Sequence, residues 1–340
     1  MLGRFIERMA TSAPLSLWRV VTKRDVLGFY YHVVSDEPLP HIRHLYPYKS
    51  ARMFENDLKY LVANFNPITY GQLVEHHNRG QRLKPRSAIL TFDDGLAECY
   101  SVARPLLLRY GIPCTFFITI DYIGNRKMGT DHKASLCVDA VASLEDSVLS
   151  DVVESVSDHF DTELSSRLDL IRWTVSVAAR DHSAVDYLCQ LLDIDVPGYL
   201  AKRRPYMSAD EILGLVRDGF TIGAHSLGHQ EFGSMSDVEV ERDIVGSCKA
   251  IAPLSGTPQV PFAFPFSADG VSRDMLQELR RRHACVGMFF DTKGIHRDRE
   301  FMVNRMCADR PEGSAPGRSN LARRMARAYL GDLVARLSHK

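Results

Sequence analysis

The 340 residues contain no run of about eighteen apolar side chains, so no membrane-spanning helix is expected. They carry no net charge either. Lys plus Arg and Asp plus Glu are each 42, so the positive field that would draw a protein onto nucleic acid is missing. No two of the seven cysteines have C-x-x-C spacing, and an odd, scattered set argues against a disulfide framework. Reduced thiols in a cytoplasmic protein are expected instead. Residues 1–21 lack the continuous apolar core and small-residue cleavage site of a secretory signal. With Arg4 and Arg8 among Leu2, Phe5, Ile6 and Met9, they read as an amphipathic helix, packed on the domain or resting at the inner membrane surface. What remains is ordinary globular material, 45% hydrophobic and 25% charged, enough for one large domain or two smaller ones.

The stretch Ala88-Ile89-Leu90-Thr91-Phe92-Asp93-Asp94-Gly95 organises the rest. Ala88 to Phe92 reads as a buried strand. In a regular strand Asp93 and Asp94 would point to opposite faces. A glycine at the strand end lets the chain turn sharply, so that both carboxylates face one pocket. Two carboxylates that close repel each other unless a cation or a shared proton compensates, so the pair asks for a metal. The plain alternative is a surface Asp-Gly turn.

Around this stretch the chain alternates. Strands are expected at 26–34, 68–69, 114–120, 220–224, 260–266, 284–290 and 301–306, with helices between most of them: 51–65, 70–77, 98–110, a capping box at Ser208 opening 209–218, a second at Ser236 opening a helix to about 251, and 273–283. Such alternation implies parallel strands with helices outside. From 126 to 206 the pattern changes to helices alone, at 134–142, 149–159, 164–179 and 184–192, with Leu168, Ile171, Trp173 and Val175 suggesting a small shared core. This all-helical insertion either caps a site or binds a partner. The domain plan is therefore 1–125 and 207–312 as two parts of one domain, 126–206 as the insertion, and 313–340 as a basic amphipathic C-terminal helix built on Leu321, Met325, Tyr329, Leu333 and Leu337. That helix packs on the domain or touches a membrane surface.

A second metal-ligating pattern follows the strand at 220–224: His225-Ser226-Leu227-Gly228-His229. Two imidazoles at i and i+4 on a helical turn can reach one ion. Ser226 stands where H-E-x-x-H motifs carry their Glu base, so a base must come from elsewhere, and the Asp pair is the obvious source. Both motifs follow strands, and in a parallel barrel that end holds the active site.

Thr91-Phe92-Asp93-Asp94-Gly95, His225-Ser226-Leu227-Gly228-His229 and Phe262-Ala263-Phe264-Pro265-Phe266, in that order, resemble the NodB-homology polysaccharide deacetylases, carbohydrate esterase family four. The resemblance runs from about Val26 to Arg310. It implies a distorted (β/α) barrel of seven or eight parallel strands. It also implies metal-dependent hydrolysis of an N-acetyl group on a sugar. By motif matching, Asp93 becomes the general base, Asp94, His225 and His229 the metal ligands, and Pro265 with Phe266 part of the groove wall. One divalent ion is expected, zinc first, with cobalt, nickel or iron also suited to two imidazoles and a carboxylate. Backbone N–H groups near Gly95 or Cys99 are candidates for stabilising the oxyanion. The implied substrate is an acetylated amino sugar in a cell-surface glycan or in its nucleotide- or lipid-linked precursor. A silent glycan- or partner-binding barrel, an O-deacetylase and a deformylase remain the other readings.

Three departures bear on this. Ala263 occupies a place where the family often has an arginine, so the group that orients the base is not identified. The family's Leu-x-His acid has one literal match, Leu337-Ser338-His339, in the terminal helix and out of context. His32, His283 and His296 are the other candidates, with His32 also a pocket-lining residue. Arg305, on the last strand, is expected to face the pocket and bind an anionic group or to sit in a surface salt bridge. The insertion itself leaves substrate size open.

Overall fold

The computed structural model describes residues 26–178, 181–311 and 319–338, with side chains to Tyr329 in the last helix. The expected N-terminal helix and His339 lie outside the described residues. Two compact units emerge: Met1–Asp36, Tyr48–Ile123 and Tyr206–Lys340 form one, and Glu37–Pro47 with Gly124–Pro205 the other.

The first unit is the barrel. β1 (Val26–Tyr31) is followed by α1 (Ala51–Asn64), the short β2 (Asn66–Pro67), α2 (Tyr70–Arg79) and β3 (Ser87–Phe92). α3 (Arg104–Tyr110) leads to β4 (Cys114–Ile118). The second unit then contributes α4 (Thr130–Ser143), α5 (Asp146–Phe160), α6 (Arg167–Ala178), α7 (His182–Leu191) and α8 (Val196–Arg203). The chain returns through α9 (Ala209–Arg217), β5 (Thr221–Ala224), α10 (Asp237–Ser255), β6 (Val260–Ala263), α11 (Arg273–Arg282), β7 (Val286–Asp291), β8 (Met302–Cys307) and α12 (Leu321–Ser338).

All pairings between these strands are parallel. The sheet runs β1-β8-β7-β6-β5-β4-β3-β2, and an additional β1–β3 pairing closes seven strands into a barrel with β2 outside the closure. This is the NodB-like distorted (β/α) barrel expected from the sequence. Parallel closure brings every strand's C-terminal end to one rim. The β5–β6 seam is its thinnest, with one paired position, Ala224↔Phe262. The strands are buried on both faces, and on the outer one Phe92 stacks on Tyr31 and on Phe116 and meets Phe54 of α1 edge-on. The described side chains of α12 include Leu321, Met325, Ala326 and Tyr329, all buried in the barrel unit. No described helix is long and apolar enough to cross a membrane.

Several boundaries depart from expectation for physical reasons. The helix expected over 98–110 is a π-helical turn at Cys99–Ala103 followed by α3. Pro105 near the start of α3 has no N–H for the preceding turn, so the register changes there. β6 ends at Ala263 rather than Phe266, because Pro265 cannot donate and Phe266 adopts φ 57. β4 stops at Ile118, and Ile120–Asn125 forms a 3-10 helix.

The helical unit has its own core of Ala134, Cys137, Val141, Val152, Val156, Leu170, Val185, Leu188 and Cys189. Of the residues expected to share this core, Ile171 and Trp173 pack against it, whereas Leu168 and Val175 are about half exposed, and Leu170 with Thr174 are the buried positions of α6. Thr174 can be buried because its hydroxyl donates to the Leu170 carbonyl at 2.8 Å. Helix α8 was not expected from the sequence. Its signals are Asp195, whose side chain accepts from the Gly198 N–H at 2.8 Å, and Pro197 in the first turn.

Candidate metal centre

The rim at the C-terminal strand ends gathers the chemistry. Asp93 and Asp94 follow β3, His225 follows β5, His32 follows β1, and Asp309 lies just beyond β8. The Asp93 N–H donates to the Tyr31 carbonyl at 2.9 Å, which continues the β1–β3 ladder one residue past the strand. Asp94 then takes φ 72 and Gly95 φ 80. Two successive left-handed residues turn the chain, and both carboxylates are buried. Gly95 is bounded on its open side by Ile118, 3.2 Å from where a Cβ would sit.

The histidine motif is a tight loop rather than a helical turn, which corrects the sequence reading. Ser226 and His229 adopt φ 64 and φ 62. The loop is tied down at almost every residue. The His225 N–H donates to the Ile118 carbonyl at 2.9 Å, and the Thr119 hydroxyl to the His225 carbonyl at 3.1 Å. The amides of Ile120 and Asp121 donate to the carbonyls of Ser226 and Leu227 at 3.2 and 2.9 Å. The Leu227 N–H donates to Asp243 at 3.0 Å, and the His229 N–H to the Ser226 hydroxyl oxygen at 2.7 Å. Ser226, standing where a catalytic Glu is found in helical zinc motifs, anchors the second imidazole instead. Burial pushes the Asp243 carboxyl up to about 6.

Asp94 Oδ1 lies 3.3 Å from His225 Nε2 and 3.2 Å from His229 Nε2. The three ligating atoms all lie within 4.8 Å of one another. Ligands about 2.0–2.1 Å from a tetrahedral ion sit roughly 3.3 Å apart, so the spacing matches a small divalent cation. Asp94 Oδ1 is buried and lacks a hydrogen-bond partner, an arrangement that costs free energy unless an ion satisfies it. His225 Nδ1 donates to the Ala263 carbonyl at 2.9 Å, so its Nε2 presents a lone pair inward. Burial pushes the Asp94 carboxyl up, but the two imidazoles beside it, the charge on His229 first, outweigh it and hold the group well below the usual range. The donor set fits a metal held by one carboxylate and two imidazoles, with coordination positions left for water and substrate.

Arg305 is not turned toward an anionic ligand, and it is not on the surface. It is fully buried inside the barrel. Its Nη1 donates to Asp93 Oδ1 at 2.7 Å and to Thr91 Oγ1 at 2.8 Å, and its Nη2 to Asp93 Oδ2 at 2.9 Å. The faces of Tyr30 and Phe117 lie 4.9 and 5.2 Å from the guanidinium. An arginine absent at Ala263 is thus present on β8, forked onto Asp93.

His32 is likewise held. Its Nδ1 lies 2.6 Å from Asp309 Oδ2, and its backbone N–H donates to Asp309 Oδ1 at 2.9 Å. Burial alone would lower the imidazole, but Asp309 outweighs it and pushes the group up to about 10, with Asp94 and Asp93 adding to the rise. His283, at the opposite end of the barrel where β7 begins, bonds Glu241 at 2.8 Å. His296 is exposed in the loop after β7. Phe266 is 48% exposed with its ring 5.0 Å from that of His229, whereas Pro265 is buried, so Phe266 alone offers a wall. The amides of Gly95 and Cys99 donate to the carbonyls of Asp93 and Leu96, so neither points to an oxyanion. Asp309, Ser226 and Asp243 were missed in the sequence. Asp309 and Asp243 belong to no motif, although an Asp four residues beyond Arg305 was visible, and Ser226, inside the histidine motif, was read only as the place of an absent Glu.

The family model for polysaccharide deacetylase matches residues 80–157 and 178–283, more than half of the chain. The chain belongs to the polysaccharide deacetylase family. The matched segments contain Asp93, Asp94, His225, His229, Pro265 and Phe266, and leave His32, Arg305 and Asp309 outside. Among solved structures, IcaB from Ammonifex degensii is 15% identical with a TM-score of 0.54, covering 90% of this chain and 97% of its own. The deacetylase PplD of Streptococcus pyogenes, solved with acetate, is 11% identical with a TM-score of 0.52, covering 84% and 93%. BC0361, a polysaccharide deacetylase from Bacillus cereus, is 14% identical with a TM-score of 0.52, covering 90% of this chain and 69% of its own. At these identities the likeness is one of fold. No curated sequence matches the chain. Membership of this family suggests a hydrolase of carbon–nitrogen bonds and implies an acetylated sugar as its substrate.

Proposed function

We propose that the protein is a metal-dependent N-deacetylase of an acetylated amino sugar in a cell-surface glycan or in its nucleotide- or lipid-linked precursor. The observation that carries this is one rim holding an Asp-His-His ligand set, a carboxylate forked by an arginine, and a histidine paired to an aspartate. Zinc suits the donor set best, with cobalt, nickel or iron as substitutes. Bound there, a divalent ion supplies Lewis acidity to the amide carbonyl and to water.

Asp93 takes the proton of the attacking water at a carboxylate oxygen. Arg305 fixes the plane of that carboxylate through both oxygens. His32, with Nδ1 committed to Asp309, gives a proton from Nε2 to the departing amine nitrogen. Water adds to the carbonyl carbon, the C–N bond breaks, and acetate and a free amino sugar result. Phe266 offers the apolar face of a sugar ring a surface beside His229. We place the reaction in the cytoplasm, because seven scattered cysteines suit a reducing compartment, and this favours a precursor over finished polymer.

The silent-barrel reading rested on a missing arginine and an unplaced acid. Arg305 and His32 supply candidates for both and support the enzyme reading. The test is acetate release from N-acetylated oligosaccharides and nucleotide- or lipid-linked amino sugars, with zinc or cobalt added. Activity lost in Asp93→Asn is the expected outcome. Full activity in that variant refutes the assigned base, and no acetate from any substrate refutes the reading.

A further inference from the structure

Residues 124–205 are acid-rich, with fourteen Asp and Glu against nine Lys and Arg. Four of those nine cations nevertheless line one cavity of about 510 Å³ within the helical unit: Arg126, Lys127, Lys133 and Arg204. No Asp or Glu lines it. Its remaining wall includes Met128, Val196 and Leu200, two of them buried. That volume falls in the range of small-molecule pockets, which combine an apolar wall with a few placed polar groups.

The backbone fixes both cationic segments. Gly124 and Asn125 adopt φ 70 and φ 63 immediately before Arg126 and Lys127, and Arg204 takes φ 48 as the cap of α8. Lys133 projects from the first turns of α4 and lies 2.6 Å from Asp186, which is outside the lining.

We propose that this cavity binds the diphosphate group of an organic ligand. Guanidinium groups match phosphate oxygens in a planar fork, and the lysines add point charges. Four cations and this volume exceed what one small monoanion needs. The apolar wall suits whatever the diphosphate carries, a prenyl chain or a nucleoside. The proposal stands on the cavity alone and holds whether or not the barrel hydrolyses an amide.

Calorimetric titration of the full chain with inorganic pyrophosphate, citrate, uridine diphosphate and geranyl diphosphate, at low and at moderate salt, tests it. Saturable one-to-one binding of pyrophosphate that weakens with salt is expected. Arg126→Ala with Arg204→Asn should weaken it at least tenfold, asparagine being tolerated at positive φ. Arg172→Ala, an exposed cation of the same unit outside the cavity, should leave it unchanged. Should the double variant fail to fold, the exposed Lys127→Glu alone serves the same purpose. Tighter binding of geranyl diphosphate than of pyrophosphate marks a lipid source, and tighter uridine diphosphate a nucleotide source. No binding of any diphosphate, binding undiminished in the cavity variants, or citrate bound as tightly as pyrophosphate overturns the proposal.

Discussion

Arg305 grips both oxygens of Asp93, Nη1 to Oδ1 at 2.7 Å and Nη2 to Oδ2 at 2.9 Å, from a strand more than two hundred residues further along the chain. The fork fixes the rotation of a carboxylate whose neighbour Asp94 belongs to the ligand set. The two aspartates are thereby given different work by their surroundings: one faces a guanidinium, the other two imidazoles. Charge-assisted bidentate bonds of this kind are among the stronger polar contacts in proteins.

Arg305→Met should therefore cost activity without costing metal. Asp93 would stay buried with its fork removed, and a loss of about 10²–10⁴ in kcat is expected for a displaced general base. Arg305→Lys keeps the charge but not the planar fork and should fall between. Zinc content by mass spectrometry should match the parent in both. Loss of bound zinc in Arg305→Lys would place the arginine in the metal site instead.

The pair His32–Asp309 predicts a pH profile. His32 stands near 10, so the protonated form needed to donate to the amine persists through neutral pH and is lost as pH rises toward that value. In Asp309→Asn, burial, opposed only by the smaller pull of Asp94 and Asp93, lowers the imidazole. The alkaline limb of kcat/KM should then move down by more than one pH unit. Stability follows the same sign. The pair's contribution is full below about 6.5, the ordinary histidine value, and disappears as pH rises through about 10. A thermal melt series across that window should show Asp309→Asn losing the parent's advantage at its acidic end.

Much of the barrel was legible because its residues speak locally. Ala88 to Phe92 is apolar and flanked by turn residues, and Ser208 and Ser236 open helices with capping boxes that are present in the structure. The Asp94, His225 and His229 convergence followed from motifs that close strands. The parts that stayed hidden depend on tertiary context. Arg305 looks like any strand arginine until the barrel closes and its register against Gly28 turns it inward. Asp309 matters only because parallel closure sets β8 beside β1. Thr174 hides as a polar residue whose hydroxyl is satisfied within its own helix. The His225 loop was misread as helical because i, i+4 spacing carries no information about positive φ at Ser226 and His229.

Metal binding should be visible as stability. An ion that binds the folded chain at a hundred times its Kd adds about 2.7 kcal/mol. For a domain of this size that is a rise of very roughly 5–10 °C in Tm. Zinc titrated into chelator-treated protein should give this rise, and His225→Ala or Asp94→Asn should abolish it. An undiminished rise in both variants would mean the ion binds elsewhere.

Gly28 is required by Arg305. A Cβ at residue 28 would come within 2.8 Å of Arg305 Cγ and 2.9 Å of the Asn304 carbonyl oxygen. The second contact is to backbone and cannot swing away. Gly28→Ala should cost about 1–3 kcal/mol by overpacking and should lower kcat by misplacing the fork on Asp93. Unchanged stability and kcat would show that β1 and β8 can part without disturbing it.

The last prediction concerns a fully buried ion pair. Lys49 donates to Asp57, which also accepts from the hydroxyls of Tyr31 at 2.7 Å and Ser319 at 2.6 Å. Lys49 Nζ further donates to Asn320 Oδ1 at 2.8 Å, and Asn320 Nδ2 donates to the Arg310 carbonyl at 2.8 Å. The network thus ties the start of α12 to the residue after Asp309. Lys49→Met leaves Asp57 charged and buried with hydroxyls alone, a loss of about 3–5 kcal/mol. Adding Asp57→Leu removes the stranded charge and should recover part of that stability. It should not recover activity, because the link from Lys49 through Asn320 to the chain beside Asp309 stays broken. Melting the single and double variants while following acetate release separates these effects. Activity restored together with stability would show that the network holds α12 but has no bearing on His32.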